Sequence, residues 1–474
     1  MIRQLRASRW LAVFVLLSHL LSPLSALALT VSEERKIGEQ LLFSVRRQFP
    51  VLDDPDISQY INTLGKKVLA TIGPQPFEYR FFVVQSDQFN AFAAPAGLVF
   101  FYTGLIAAMN NEDQLVSVLA HEIGHVVSRH IAQRLDKGAK ISALSLIAGI
   151  AGLALGVPGL SQGLLTGSLA AGQAANLQYS REDEEQADRL SFGWMQKMGR
   201  DPSAMEDMLK SMRRVSRYSM GSEVPQYLLT HPNPDARLGY VESLLEMLRQ
   251  KGTPQHYIKT DNFDFLRFKY RVQVQSSDLD NLRTYCTTAV TAAGTDKEQQ
   301  IMAHYGLALL AAEDRNYPEA LEQLAFVRER YPQKEILEID KAVLLMGSGN
   351  YDEARRILEQ AFRRDPNDVY GAYQLGKIEL MTGNYPRAEQ MLQRVALAMP
   401  EYPQVYYDLG QLAANRGKEG VSGFFLGKYN LYRGKMKMAK QYLVRASKDA
   451  NVPDKVRVEA KAILDKLKEL EKET

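Results

Sequence analysis

His121-Glu122-Ile123-Gly124-His125 is the stretch from which the rest of this 474-residue chain is read. Histidines four apart lie on one face of an α-helix, about 40° round from one another, where both can grip a single cation. Glu122 lies on the adjacent turn, within reach of a water that such a cation would activate. The helix is supported locally. Asn111 and Gln114 have the spacing of a capping box, and Leu115, Val118, Leu119, Val126 and Val127 form an apolar stripe. Gly124 costs helix stability unless something must pack very close there. With 7 His and 55 acidic residues in the chain, chance supplies about 0.01 such patterns. A metal-activated hydrolase is therefore the leading reading, against a helix that carries two histidines by accident.

Toward the N-terminus, Arg3, Arg6 and Arg9 precede an apolar core from Trp10 to Leu21, and Ala26-Leu27-Ala28 forms a small-x-small cleavage site. Residues 1–28 are expected to be a cleaved secretory signal, the alternative being an uncleaved anchor helix. Its removal takes away three Arg and lowers the formal net charge from +3 to 0. No nucleic-acid partner is expected of a chain so balanced. Cys286 is the only cysteine, so no internal disulfide forms and stability must come from cores and metal. An exported chain of this kind fits the periplasm.

Between the signal and the histidine helix, Ser32 with Glu33 and Glu34 predicts one helix start, and Asp54-Pro55 a second. Phe77–Val84 and Leu98–Thr103 read as strands. The second is expected either to be an edge strand that clamps an extended peptide by main-chain pairing or an ordinary buried strand. His130 stands nine residues after His121, on the opposite side of a continuing helix, so it is expected to be structural or solvated and not a ligand.

Residues 141–180 carry no charge. This stretch predicts an apolar lid or a surface that touches substrate or membrane, or else a buried hairpin. A membrane span is disfavoured by Ser161, Gln162, Thr166, Ser168, Gln173 and Asn176 in its second half. An acidic helix follows from Ser180. Glu184 and Asp188 share one of its faces, a spacing that suits one carboxylate on the metal and the other orienting a ligand histidine.

HExxH followed by ExxxD resembles the M48 family of zinc metallopeptidases. Asn90-Ala91-Phe92 with Pro95 and Gly97 is similar to that family's edge-strand signature, although Ala96 stands where a second glycine is usual. Thr230-His231-Pro232-Asn233-Pro234-Asp235-Ala236-Arg237 matches a further motif of the family. The resemblance implies an α+β zincin-like domain, mostly helical with a small sheet. It implies one Zn2+ held by His121, His125 and Glu184, Glu122 as general base, and Asp188 behind a ligand. It places His231 and Arg237 at the active site, His231 either steadying the transition state or closing zinc's open position as a fourth ligand.

The C-terminal half repeats. Asn316-Tyr317, Asn350-Tyr351 and Asn384-Tyr385 recur at a spacing of 34, as do Ala320, Ala354 and Ala388, and Pro332, Pro366 and Pro400. That period with small residues at the helix crossings predicts an all-α tetratricopeptide solenoid with a concave protein-binding face. Cys286 is expected to fill a small packing position in a degenerate first repeat, and extra helices are expected around Gly417–Tyr432. The expected division is 1–28 signal, 29–255 peptidase and 256–474 repeats. In this order the parts resemble M48 peptidases of the bacterial β-barrel assembly-enhancing kind. That resemblance implies a periplasmic endopeptidase whose partners are unfolded or stalled outer-membrane proteins and, through the array, the outer-membrane assembly machinery. The competing readings are an adaptor or chaperone whose zinc site is mainly latched, and a membrane-associated peptidase.

Overall fold

The computed structural model describes residues 30–137, 179–218, 230–250 and 257–472, apart from 293 and 295, together with Tyr227. The expected signal and all but the last two residues of the charge-free stretch lie outside the described residues. Helix α1 (Val31–Gln48) starts at a capping box, in which Thr30 accepts from the Glu33 amide and the Glu33 carboxylate accepts from the Thr30 amide. Ser32 therefore lies inside the first turn and does not open it. Helix α2 (Pro55–Ile72) begins where its sequence predicts, with Asp54 accepting from the amides of Asp56 and Ile57.

Three strands follow, β1 (Arg80–Val84), β2 (Ala91–Ala94) and β3 (Leu98–Tyr102), in the order β1-β3-β2. β3 runs parallel to β1 and antiparallel to β2. Alternation along β3 explains its complete burial. Leu98, Phe100 and Tyr102 pack with Leu41, Leu42 and Val45 of α1, while Val99 and Phe101 join the core on the other face. The 98–103 strand, expected as a candidate peptide clamp, is thus the central strand, with its backbone paired on both sides. The outer side of β1 is also covered: Leu52 N–H donates to Val83 O, and the Asn62 amide bonds both main-chain groups of Phe81. Among the described residues, β2 is the strand with an open edge. Between β2 and β3, Ala96 holds φ 63° and Gly97 φ 81°. Ala96 thus keeps the left-handed backbone natural to glycine, at a cost of about 1–2 kcal/mol.

Next come α3 (Thr103–Ala108) and the histidine helix α4 (Glu112–Val127), which Asn111 caps by accepting from the Gln114 amide. Gln114 returns its bond to Asn110 and not to Asn111, so the expected capping box is shifted by one residue. The peptidase part is completed by α5 (His130–Lys137), α6 (Arg181–Lys197), α7 (Ser203–Tyr218) and α8 (Pro234–Gln250).

From α9 (Phe263–Ser276) and α10 (Leu279–Thr291) onward the chain is a series of helix pairs. They are α11 (Lys297–Glu313) with α12 (Tyr317–Arg330), α13 (Ile336–Gly347) with α14 (Tyr351–Arg364), and α15 (Val369–Met381) with α16 (Tyr385–Ala398). Then follow α17 (Pro403–Asn415) with α18 (Glu419–Tyr432), and α19 (Met436–Lys448) with α20 (Asp454–Lys472). Residues 315, 349, 383 and 417 all have positive φ, which turns the chain between the helices of successive pairs. The extra helices expected near 417–432 are not insertions. α17 and α18 begin 34 residues after α15 and α16, so the regular series continues. Cys286 is fully buried, and a Cβ on Gly306 would meet its sulfur at 2.7 Å, so the thiol occupies a close helix crossing as expected.

The array is seated on the peptidase part. Arg267 of α9 donates to Asp56 of α2 at 2.8 Å and to Asp340 of α13 at 2.7 Å, all three buried. Arg271 reaches Asp54 at 3.1 Å. Gln59 bonds Asp368 at 3.1 Å, and Arg46 donates to Tyr432 O at 3.2 Å. Part of the surface from α9 to α18 is covered by α1 and α2 of the same chain. No described helix is long and apolar enough to cross a membrane.

Candidate metal centre

Helices α4 and α6 build the centre by packing against each other at their small residues. A Cβ on Gly124 would stand 3.2 Å from Ala187 Cα and 3.4 Å from Ala187 Cβ. Gly124 precedes His125, and Ala187 lies between Glu184 and Asp188, so this close crossing faces the histidines with the acids. The five acids of α6 separate by role. Asp183 closes a capping box with Ser180, Glu182 and Glu185 are exposed, and Glu184 and Asp188 are each 1% exposed.

His121 Nε2 and His125 Nε2 are 3.0 Å apart, and Glu184 places Oε2 3.5 Å from the first and Oε1 3.5 Å from the second. His231 adds a fourth donor, its Nδ1 lying 2.9 Å from Glu184 Oε1 and 3.4 Å from His121 Nε2. Tetrahedral nitrogen and oxygen ligands at about 2.0–2.1 Å from zinc stand about 3.3 Å from one another. The donor pairs given above stand 2.9–3.5 Å apart, the four donor atoms all lie within 4.8 Å of one another, and all four residues are buried. The donor chemistry, neutral imidazoles with a carboxylate, is also the one zinc takes. The residues present fit the ion.

The electrostatics agree. Burial and Arg237 oppose a charge on His121, but Asp188 and Glu184 outweigh them and push it up to about 9. Burial, reinforced by the charge on His121, holds His125 well below the usual imidazole range. Burial disfavours the Glu184 carboxylate, yet His231 and Arg237 overcome this and hold it well below the usual range. Glu184 is thus kept ionised among the histidines, the state in which a carboxylate ligates a cation.

Asp188 Oδ1 lies 2.8 Å from His121 Nδ1 and so orients that ring. Arg237, on the first turn of α8, forks onto Asp188 at 2.7 and 2.8 Å and reaches Glu184 Oε2 at 2.9 Å. Glu122 is fully buried, and neither of its oxygens has a hydrogen-bond partner among the described residues. Its Oε1 is 3.5 Å from His231 Nε2. A buried, unpartnered carboxylate beside a donor cluster is costly unless something polar is meant to enter.

Every site residue expected from sequence, His121, Glu122, His125, Glu184, Asp188, His231 and Arg237, is drawn into this one cluster. Three further residues join it, two of which carried no signal in the sequence. Tyr179 stacks on His125 with centroids 3.7 Å apart, and Tyr227 stacks on His231 at 4.3 Å. His130, expected on the far side of the helix, is 2% exposed and bonds His125, their Nδ1 atoms 2.9 Å apart. The helix stops at Val127, Arg129 turns with φ 53°, and α5 starts in a new direction. No Gly or Pro marks that stop, so the helical projection had no reason to end.

Residues 55–245 match peptidase family M48, and residues 309–378 and 345–412 match the tetratricopeptide repeat. The chain is similar to the beta-barrel assembly-enhancing protease of Yersinia pestis, 30% identical over 346 residues, covering 72% of this chain and 62% of that protein. It is similar to the protein of the same description from Escherichia coli, 31% identical over 298 residues, covering 62% and 59%. The mitochondrial metalloendopeptidase OMA1 of Schizosaccharomyces pombe is 30% identical over 187 residues, covering 39% and 52%. The chain therefore spans about three fifths of the length of these two bacterial relatives. Residues 55–245 are a peptidase family M48 domain, and residues 309–412 are tetratricopeptide repeats.

Proposed function

We propose that this chain is a periplasmic zinc endopeptidase that cleaves stalled or misassembled outer-membrane proteins, with its repeats contacting the assembly machinery. The observation that carries the reading is the gathering of His121, His125, Glu184 and His231 with their donor atoms within 4.8 Å of one another, and the orphaned carboxylate of Glu122 beside them. His121, His125 and Glu184 would hold the zinc. When bound, the ion supplies Lewis acidity, polarising a substrate carbonyl and making water a nucleophile near neutral pH.

The chain's own residues do the rest. Glu122 takes a proton from the attacking water onto a carboxylate oxygen and passes it to the leaving amine. Asp188 keeps His121 in its orientation, and Arg237 fixes Asp188 and Glu184 together. An extended substrate adds to the open edge of β2, which packs on α4, and pairs through its main chain so that sequence matters little. Such tolerance suits a protease of unfolded chains.

His231 makes a second reading specific. With four protein donors the site is closed in the manner of a structural zinc, whereas a catalytic zinc needs an open position. We infer that this arrangement is a resting state and that His231 must withdraw before water enters. Proteolysis of an unfolded outer-membrane protein by wild type, Glu122→Gln and His231→Ala tests both readings. Glu122→Gln is expected to bind zinc and lose cleavage. His231→Ala is expected to cleave faster than wild type. Undiminished cleavage by Glu122→Gln would sink the enzymatic assignment, and lost cleavage by His231→Ala would give that residue a catalytic role instead of a latch.

A further inference from the structure

A chain of hydrogen bonds behind His125 determines which of its ring nitrogens faces the donor cluster. His130 Nε2 lies 3.0 Å from Gln186 Oε1 and 3.6 Å from Asp183 Oδ1. Gln186 Oε1 accepts, and the Asp183 carboxylate, beyond hydrogen-bond range but able only to attract a hydrogen, favours the same arrangement, so Nε2 of His130 carries hydrogen. In the neutral ring its Nδ1 is then a bare lone pair. That lone pair faces His125 Nδ1 at 2.9 Å, so His125 must donate from Nδ1. The remaining nitrogen of His125, Nε2, is left unprotonated and aimed at His121 Nε2 and Glu184, at 3.0 and 3.5 Å. Turning the Gln186 amide over would reverse every bond of the chain and leave a hydrogen on His125 Nε2, where it would exclude a metal. Asp183 opposes that reversal. His121 reaches the same state by its own route, through Asp188.

We propose that His130 is a positioning residue for zinc: it locks His125 in the tautomer that offers Nε2 to the ion, with Gln186 and Asp183 setting the direction of the chain. The inference rests on the metal reading above and names a determinant of affinity that lies on α5 and α6, outside the helix carrying the histidine pair. Ligand histidines commonly lose ten- to a hundredfold in metal affinity when such a partner is removed.

Zinc dissociation constants of the full chain, by competition with a chromophoric chelator, test it, with unfolding in excess chelator as a control on the fold. His130→Phe keeps the ring volume without the acceptor and is expected to weaken zinc ten- to a hundredfold. His130→Gln places an amide oxygen within reach of His125 Nδ1–H and is expected to recover most of that loss. Gln186 is exposed, so its variants leave the core alone. Gln186→Glu, which only accepts, should bind zinc at least as tightly as wild type, and Gln186→Lys, which only donates, several-fold more weakly. The visible absorption of the Co2+-loaded protein should keep its tetrahedral intensity in Gln186→Glu and lose it in His130→Phe. Wild-type affinity in His130→Phe, or equal shifts in the two Gln186 variants, would overturn the proposal while leaving the metal centre standing. Absence of zinc binding by the wild type would overturn both. If His130→Phe fails to fold, the opposed Gln186 pair still decides.

Discussion

Substituting Gly124 by alanine sets two known effects against each other. In a helix interior the change from glycine to alanine is favourable by about 1 kcal/mol. Here the new methyl would stand 3.2 Å from Ala187 Cα and 3.4 Å from Ala187 O. The obstacle is backbone, which cannot rotate away as the end of a side chain can. The helices must separate by a few tenths of an ångström, and such overpacking costs about 1–3 kcal/mol. The metal-free protein is therefore expected to lose roughly 0–2 kcal/mol. The larger effect falls on zinc. Gly124 lies on the ligand helix and Ala187 between two acids of the opposite one, so separation lengthens the distance from Glu184 to both histidines. Metal sites tolerate only about 0.2 Å of such change. Zinc affinity is expected to fall about tenfold or more, which is about 1.4 kcal/mol. Chelator competition gives the affinity, and denaturant unfolding with and without chelator gives the stability. A Gly124→Ala protein that gains the full helix increment and binds zinc like wild type would refute the view that the crossing sets the donor spacing.

Two further expectations concern buried charge. Arg237→Met leaves Glu184 and Asp188 buried without their guanidinium, so the metal-free protein should lose about 3–5 kcal/mol. Saturating zinc should shrink that deficit; urea unfolding that finds metal-free Arg237→Met as stable as wild type would contradict the account. Lys269, which donates to Met109 O, is pulled down by burial from 10.5 to about 8. A depressed folded value means stability fully present above pH 10.5 and lost as pH falls through 8. Across that window wild type should lose about 3 kcal/mol relative to Lys269→Met. Parallel pH profiles of the two melting temperatures would disprove it.

Much of the site was legible because its signals are periodic. The i, i+4 spacing of His121 and His125, the same spacing of Glu184 and Asp188, and the 34-residue repeat each report a local geometry that a helix enforces wherever it folds. Gly124 was legible for a related reason, since a costly glycine in a helix implies a close neighbour, though not that the neighbour is Ala187. Periodicity failed where it was extended past an unmarked boundary. His130 was projected along a helix that ends at Val127, and the left-handed turn at Arg129 brings it back behind His125. Tyr227 and Tyr179 carried no signal, because stacking partners are chosen by space and not by spacing.

The sequence alone determined the histidine helix, the acidic helix, the repeating helix pairs and a donor set suited to zinc, since each depends on residues near one another in the chain. Tertiary structure decided that β3 is central and β2 the open edge, because strand order depends on which partners cover each side. It also decided that His231 joins the donor cluster, against residues 47 and 110 positions away. Finally, it decided that the array rests on α1 and α2, where buried pairs such as Arg267 with Asp56 join residues 211 apart. Contacts over such separations depend on how preformed elements pack, and no local pattern records that.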